Sequence, residues 1–407
     1  MKLIGPLPPE FVGQDVLTIA GRAAEAWANE VGTPAFVYDF AIARARVARL
    51  RAALPASVDI HYAIKANPFA PLLRAMSDIV DGLDVASAGE LEKALAVKHA
   101  TAISFAGPGK RDSELEAAIT AGATINLESE GEAERALSVG ERLGVTPRVA
   151  VRVNPSFELR GSGMKMGGRA SPFGIDAVRV PALVRRLIGA GADWRGFHIF
   201  AGSQSLDTAA ICETQAATLG LAARLADDAG AEPPLVNLGG GFGVPYFSGD
   251  TPVDVEAIGA ALGERLAAQA SGSRYAIELG RWLVAECGVY LARVIDRKES
   301  GGETFLVTDG GLHHQLAASG NFGTVVRRNY PVALTRAVRG DPSETVSIVG
   351  PLCTPLDRLA DRVAFPRAKA GDVVALFLAG AYGVTASPGR FLGHPEPAEV
   401  LAGALKP

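Results

Sequence analysis

The feature of this 407-residue sequence that most constrains its fold is a regular alternation of short apolar runs with longer segments rich in Ala, Leu, Glu and Arg. This alternation is typical of parallel strands that are covered by helices. Helices are predicted over segments such as Ser113–Ala121, Gly131–Leu143 and Thr208–Gly230. Eight runs are predicted as strands: Ile60–Lys65, Gly82–Ala86, Ile103–Ala106, Thr124–Leu127, Arg148–Val153, Gly196–Phe200, Leu235–Leu238 and Tyr275–Glu278. Eight strand-then-helix units predict a (β/α)8 TIM-like barrel that ends near Arg281.

After Arg281 the sequence changes to short β-like runs without long helices: Gly288–Ile295, Thr304–Thr308, Thr345–Val349 and Val373–Leu378. The segment Pro34–Asp39 has the same character and could join that sheet. We therefore predict an α/β protein with a barrel and a C-terminal β-sheet domain. The predicted bounds are 1–39 for an N-terminal segment joining the β domain, 40–283 for the barrel and 284–407 for the β domain.

Composition excludes several classes of function. The chain has 40 Lys and Arg against 44 Asp and Glu, with no basic stripe, so nucleic acid is not an expected partner. Its longest apolar stretch is far shorter than the roughly 18 residues that span a bilayer, and Met1–Glu10 lacks signal-peptide features. A cytoplasmic protein is expected. The 3 cysteines have no metal-ligand or disulfide spacing, so no metal site is expected.

Polar residues stand where the predicted strands end. In a (β/α)8 barrel the active site lies at this carboxyl-terminal face. One charged residue there would usually be solvated and inactive, but several around one rim indicate a site. The rim residues are Lys65, Asp84 with Ser87, Glu128, Asn154, His198, the run Gly239–Gly243, and Glu278 with Arg281.

The chemistry of these groups points to one cofactor. Lys65 could form a Schiff base with an aldehyde. Gly239–Gly243 could cradle a phosphate at a helix start, although a plain tight turn is the alternative. His198 could lie flat on an aromatic ring or only bond neighbouring loops. Glu278 and Arg281 could form a surface ion pair, or hold a protonated ring nitrogen and an anion. An aldehyde, a phosphate and a basic ring nitrogen occur together in pyridoxal 5'-phosphate.

The order of motifs resembles the fold-type III pyridoxal-phosphate decarboxylases, the family of diaminopimelate, ornithine and arginine decarboxylases, to which alanine racemase is related. The resemblance covers nearly the whole chain. It rests on Tyr62-Ala-Ile-Lys-Ala-Asn67, Gly82-Leu-Asp-Val-Ala-Ser-Ala-Gly-Glu90, His198 with Gly202-Ser-Gln204, Gly239-Gly-Gly-Phe-Gly243, Glu278-Leu-Gly-Arg281, Gly350-Pro-Leu-Cys353 with Asp357, and Gly380-Ala-Tyr-Gly383.

The resemblance implies that Lys65 holds the cofactor as an internal aldimine, that Glu278 contacts the pyridine nitrogen and that Cys353 protonates Cα. His198 completes the implied catalytic set. It also implies a head-to-tail homodimer in which the Cys353 loop of one subunit completes the site around Lys65 of the other. The implied cofactor-binding residues are Lys65, Asp84, His198, Ser203, Gly240, Gly241, Glu278, Leu279, Gly280, Arg281 and Tyr382. The implied substrate-binding residues are Arg281, Arg328, Cys353, Thr354, Asp357 and Tyr382.

Departures from the family pattern bear on the substrate. Thr354 stands where diamino-acid decarboxylases usually carry an acidic residue for the distal amino group. The loop after His198 is two residues longer than usual, Leu279 replaces a proline, and the substrate-binding arginine could be Arg327 or Arg328. Other segments resemble a branch found with exosortase systems or acting on glutamyl groups carried by an acyl carrier protein: Thr308-Asp-Gly-Gly-Leu-His-His314, Leu316-Ala-Ala-Ser-Gly-Asn-Phe-Gly323, Gly350-Pro-Leu-Cys-Thr-Pro-Leu-Asp357 and Ala386-Ser-Pro388. The predicted substrate is therefore an L-amino acid with a neutral or tethered far end, free or carrier-linked.

Three other functions stay open at this point. One is decarboxylation of diaminopimelate or another diamino acid. A second is racemisation or epimerisation, although alanine racemases use an arginine where this chain has Glu278. A third is cofactor binding without catalysis, which is disfavoured by the joint presence of Lys65, His198, Glu278, Arg281, Cys353 and Tyr382.

Overall fold

A computed structural model describes residues 1–165, 167–168, 170–269, 271–319 and 328–403. The strands, in chain order, are β1 Thr18–Ile19, β2 Arg22–Ala23, β3 Ala35–Asp39, β4 Val58–Ala63, β5 Gly82–Val85, β6 Ile103–Phe105, β7 Thr124–Leu127, β8 Arg148–Asn154, β9 Met164–Lys165, β10 Ile175–Asp176, β11 Asp193–Ile199, β12 Gly202–Ser203, β13 Leu235–Asn237, β14 Arg274–Leu279, β15 Gly288–Ser300, β16 Glu303–Thr308, β17 Val332–Leu334, β18 Glu344–Val349, β19 Arg358–Phe365, β20 Val373–Leu376 and β21 Ala398–Ala402. The α-helices are α1 Ala24–Val31, α2 Phe40–Ala53, α3 Ala70–Ser77, α4 Ala88–Leu95, α5 Asp112–Ala121, α6 Glu130–Leu143, α7 Val180–Gly189, α8 Thr208–Ala229, α9 Val255–Ala267 and α10 Arg281–Val284.

The chain divides into two compact units. The barrel unit comprises Val47–Gly243 and Pro252–Gly280, and the β unit comprises Met1–Arg46, Val244–Thr251 and Arg281–Pro407. The domain bounds predicted above stay a prediction.

The barrel unit confirms the predicted eight-stranded parallel barrel. Its closed order is β4-β5-β6-β7-β8-β11-β13-β14, with β14 pairing back to β4. Observed and predicted strand ends agree within a few residues. One difference concerns Lys65, which was predicted to end a strand. The strand β4 stops at Ala63, and Lys65 lies in a 3-10 turn, Ile64–Ala66, that is closed by the bond from Asn67 N–H to the Ile64 carbonyl.

Local sequence signals fix where the barrel helices begin and end. The side chains of Ser87, Ser129, Asp207 and Asp254 each accept a hydrogen bond from a backbone N–H in the first turn of the following helix. Such caps satisfy N–H groups that have no partner within the helix. Left-handed glycines end α5, α6 and α8, where a residue with a side chain would be strained.

The β unit is built on the strand order β17-β20-β15-β16-β18-β19. The N-terminal strand β3 pairs with β15 antiparallel and with β21 parallel. The strands β17, β19 and β21 were not predicted. All three have mixed or short apolar patterns, and pairing with neighbours distant in sequence defines them.

In the part of the chain that the structure describes, no helix is long and apolar enough to cross a bilayer.

Candidate active site

Lys65 stands beside Glu278 at the carboxyl-terminal end of the barrel. The register between β14 and β4 pairs Glu278 with His61 and Leu279 with Tyr62, so Glu278 lies one residue before the end of β14 and near the Lys65 turn. Nζ of Lys65 lies 3.9 Å from Oε1 of Glu278, and about half of the Lys65 side chain is exposed. The amine is therefore close to a carboxylate and still accessible to an aldehyde.

Glu278 is buried and ionised. Nε2 of His198, which lies in β11, donates to Oε2 of Glu278 at 2.9 Å. Burial by itself would raise the pKa of Glu278, but the bond from His198 and the nearby charges of Lys65 and Arg152 lower it to about 2. The site thus holds a buried negative charge at neutral pH.

A second pair of ionisable groups, His61 and Asp84, faces the inside of the barrel. Nδ1 of His61 lies 3.3 Å from Oδ2 of Asp84, and both residues are buried. Neither oxygen of Asp84 accepts a hydrogen bond from the described residues, so the contact is an ion pair without good hydrogen-bond alignment. Burial would lower the pKa of His61, but Asp84 together with the charges of Asp59 and Glu278 raises it above 6.5.

The glycine run lies against the strand that carries Glu278. A Cβ on Gly240 would stand 2.0 Å from the Glu278 carbonyl oxygen, and a Cβ on Gly241 would stand 2.6 Å from the Gly202 carbonyl oxygen. Close backbone approach therefore requires glycine at both positions. The expected phosphate cradle required a helix that begins at the glycine run. The next helix, α9, begins only at Val255. The loop backbone alone would contact an anion.

Leu279 ends β14, and Gly280 packs against the Lys65 turn, where a Cβ would lie 2.9 Å from Cβ of Ala66. Ser203 lies in β12, which begins at Gly202. These predicted cofactor residues are thus all at the same end of the barrel unit as the glycine run.

In the β unit, Arg281 lies in an aromatic cage. Its Nη1 is 3.3 Å from the hydroxyl oxygen of Tyr246, and its guanidinium lies 4.6 Å from the ring centre of Tyr382. Among the described residues its polar partners are tyrosines and not carboxylates, and its Nε is buried without a hydrogen-bond acceptor. Tyr382 adopts a φ of 54°, a strained value for a side-chain-bearing residue. A partly buried guanidinium without a counter-ion is suited to an anionic ligand.

The Cys353 loop joins β18 and β19, and Cys353 is exposed. Asp357 is buried, and its two oxygens accept hydrogen bonds from the N–H groups of Leu312 and Leu352 at 2.7 and 2.9 Å. These bonds hold the loop, and the contact of Asp357 with substrate stays a prediction. Thr354 accepts a bond from Leu356 N–H within the same loop.

Arg328 lies 3.9 Å over the ring of Phe247 and 3.8 Å from the carboxylate of Asp250, and half of its side chain is exposed. The alternative substrate arginine, Arg327, lies outside the described residues. The choice between the two therefore stays open.

Residues 41–285, more than half of the chain, match the family described as "Pyridoxal-dependent decarboxylase, pyridoxal binding domain". The chain belongs to the pyridoxal-dependent decarboxylases. It is 37% identical over 381 residues to the L-glutamyl-[BtrI acyl-carrier protein] decarboxylase of Niallia circulans, covering 91% of this chain and 88% of that relative.

Other relatives of this decarboxylase are also named decarboxylases, but their names give a different substrate. It is 30% identical over 400 residues to the diaminopimelate decarboxylase of Methanothermobacter thermautotrophicus, covering 95% of this chain and 90% of the relative. The crystal structure of diaminopimelate decarboxylase from M. jannaschii with L-lysine matches with a TM-score of 0.85 at 25% identity, covering 96% of this chain and 92% of the other. The resemblance inferred from the motifs is thereby confirmed.

Sequence reasoning missed three residues that contact predicted site residues: His61 beside Asp84, Arg152 beside Glu128 and Tyr246 beside Arg281. Two of them had a usable signal, because alternation along a strand places His61 and Arg152 on the same face as other rim residues. Arg152 forms a buried ion pair with Glu128 at 2.8 Å. Tyr246 follows the glycine run in a loop, and no pattern marked it.

Proposed function

We propose that this decarboxylase holds pyridoxal 5'-phosphate covalently through Lys65 and removes the α-carboxylate of an L-amino acid, free or linked to a carrier. The observation that carries the proposal is the buried, ionised Glu278 beside an accessible lysine. When bound, the cofactor supplies an electron sink for the electrons of the Cα–carboxylate bond.

The described residues fit the cofactor. Lys65 offers an accessible amine for the aldehyde, and Glu278 offers an ionised carboxylate for the ring nitrogen. A carboxylate favours the protonated nitrogen, which deepens the electron sink. His198 fixes the orientation of Glu278 through its 2.9 Å bond. The glycine loop at Gly240 and Gly241 would hold the phosphate, and Arg281 of the β unit stays a predicted cofactor contact.

Cys353 would donate the proton that replaces carbon dioxide at Cα. Its thiol is exposed on the loop after β18, where a reacting group could approach. In the proposed head-to-tail homodimer, this loop would complete the site around Lys65 of the partner subunit. The homodimer rests on the family pattern.

The proposed substrate has no distal cation. Thr354 follows Cys353 and cannot pair with a distal ammonium as a carboxylate could. The Niallia circulans relative is named for a glutamyl group carried on an acyl-carrier protein, which supports a tethered substrate here. Relatives named diaminopimelate decarboxylase support the alternative substrate, which the missing carboxylate disfavours.

The test is carbon dioxide release by cofactor-loaded protein from free L-amino acids, diamino acids and carrier-linked glutamyl substrates, with Lys65→Ala as control. We expect carbon dioxide release from a neutral or carrier-linked substrate. The Lys65→Ala control should not release carbon dioxide. Efficient turnover of diaminopimelate would refute the substrate assignment. A product that keeps its carboxylate but changes its configuration would replace decarboxylation by racemisation.

A further inference from the structure

We propose that His61 is a positioning residue for the cofactor, which orients the carboxylate of Asp84 beside the Lys65 turn. This inference rests on the proposed cofactor binding and adds a residue that the motif comparison left without a role. It concerns only residues of the barrel unit.

The glycine on the neighbouring strand leaves space for the His61 side chain. The parallel register pairs His61 with Gly82 and Ala63 with Asp84. A Cβ at position 82 would lie only 2.5 Å from Nε2 of His61. The imidazole therefore lies across the glycine and reaches the carboxylate two residues further along β5, at 3.3 Å.

Asp84 needs such a partner because it is buried. Only 5% of its surface is exposed, and neither oxygen accepts a hydrogen bond from the described residues. An ionised carboxylate without donors is unfavourable in a protein interior unless a cation compensates it. His61 supplies the cation, and the hydrogen-bond capacity that remains on Asp84 is available to a ligand. Since Asp84 lies level with Ala63, two residues before Lys65, that ligand would be the cofactor held by the lysine.

Three acidic groups face His61 and favour its charged form. Asp84 approaches from β5, Asp59 from the same strand and Glu278 from β14, and together they outweigh the effect of burial, so the pKa of His61 is raised above 6.5. A cavity of about 210 Å³ lined by His61, Ser104, Asn126 and Asn237 opens at the amino-terminal end of the barrel. The buried imidazole therefore borders an open cavity.

The first measurement is the NMR titration of His61 in the apo protein, which does not depend on activity. We expect a pKa above 6.5 that falls in Asp84→Asn. A His61 that titrates at or below 6.5 in the native protein would contradict the pairing. His99→Phe, which replaces an exposed histidine of the same unit, serves to assign the signals and as a matched control.

The second measurement is the dissociation constant of pyridoxal 5'-phosphate from the apo protein. We expect His61→Phe and Asp84→Asn each to weaken binding about tenfold or more, which corresponds to about 1.4 kcal/mol. The double variant should bind the cofactor no more weakly than the single variant that has the lower affinity, because the two residues act as one unit. His61→Gln, which keeps a hydrogen-bond donor but no charge, should recover part of the affinity. His99→Phe should bind like the native protein.

The outcomes separate this inference from the proposed function. Native affinity in His61→Phe, or independent and additive effects in the double variant, would refute the positioning role while leaving cofactor binding intact. If the native protein itself fails to bind the cofactor, the proposed function fails, and the positioning role fails with it.

Discussion

Arg281 is the residue whose surroundings most directly indicate an anionic ligand. Tyr246 and Tyr382 surround its guanidinium, while no carboxylate in the described ranges neutralises it. Burial opposes a charged guanidinium, yet its contacts with the tyrosines keep the pKa of Arg281 above its ordinary value. The charge is thus retained in the folded protein and is available for a phosphate or a carboxylate.

We predict that Arg281→Met weakens binding of pyridoxal 5'-phosphate by about tenfold or more, because a charged hydrogen bond contributes about 1.5 to 3 kcal/mol. Pyridoxal, which lacks the phosphate, should bind the variant and the native protein equally. Absorbance titration of the apo protein measures both ligands. Equal losses for both would show that Arg281 does not contact the phosphate.

At the scale of elements, the glycine loop is held against β14 so closely that Gly240 has no room for a methyl group. By contrast, Gly220 lies inside α8, where a Cβ would meet only the end of the Arg224 side chain at 3.6 Å. The same chemical change should therefore have opposite effects at the two positions.

We predict that Gly240→Ala lowers the melting temperature and the affinity for cofactor, because the loop must move away from the Glu278 carbonyl group. Gly220→Ala should raise the free energy of unfolding by about 0.5 to 1 kcal/mol, since alanine is the better helix former. Thermal unfolding of both variants provides the check. A stable Gly240→Ala protein with native cofactor affinity would contradict the packing described here.

The segment after β16 carries two adjacent buried histidines, His313 and His314. Their ring centres lie 3.8 Å apart, and His394 lies 5.1 Å from His313. Burial and the neighbouring histidines lower the pKa of His313 to about 4. Below about pH 6.5 the unfolded chain therefore binds a proton that the folded protein does not, and the folded state loses stability as the pH falls toward 4.

We predict that His313→Phe reduces the loss of melting temperature between pH 7 and pH 5, because phenylalanine fills the same space without titrating. The exposed His99→Phe should not change that loss. Identical pH dependence in His313→Phe and the native protein would show that folding does not lower the pKa of His313.

At the scale of the whole molecule, the sequence predicted what depends on local pattern. Eight apolar runs located the barrel strands, and polar residues at their ends located Lys65, His198 and Glu278. The sequence pattern did not predict features that depend on tertiary contacts. Lys65 lies in a turn because the chain leaves β4 at Ala63, and β19 and β21 are defined by partners far away in sequence.

The pairing of His61 with Asp84 was also out of reach of the sequence. It depends on the register between two strands and on the space above Gly82, neither of which a single strand pattern contains. The backbone contacts of Asp357 were likewise absent from the sequence pattern. Its motif predicted contact with substrate, while its buried oxygens bond the backbone of Leu312 and Leu352.

The measurement that tests the central claim most directly is the rate of carbon dioxide release by cofactor-loaded Glu278→Ala, compared with the native protein on the substrate that the panel identifies. Glu278 is proposed to keep the cofactor ring nitrogen protonated, so its removal should slow release by about 100-fold or more, about 2.7 kcal/mol in the barrier, while absorbance shows that the cofactor remains bound. Native turnover in the loaded variant would remove Glu278 from the mechanism and contradict the account.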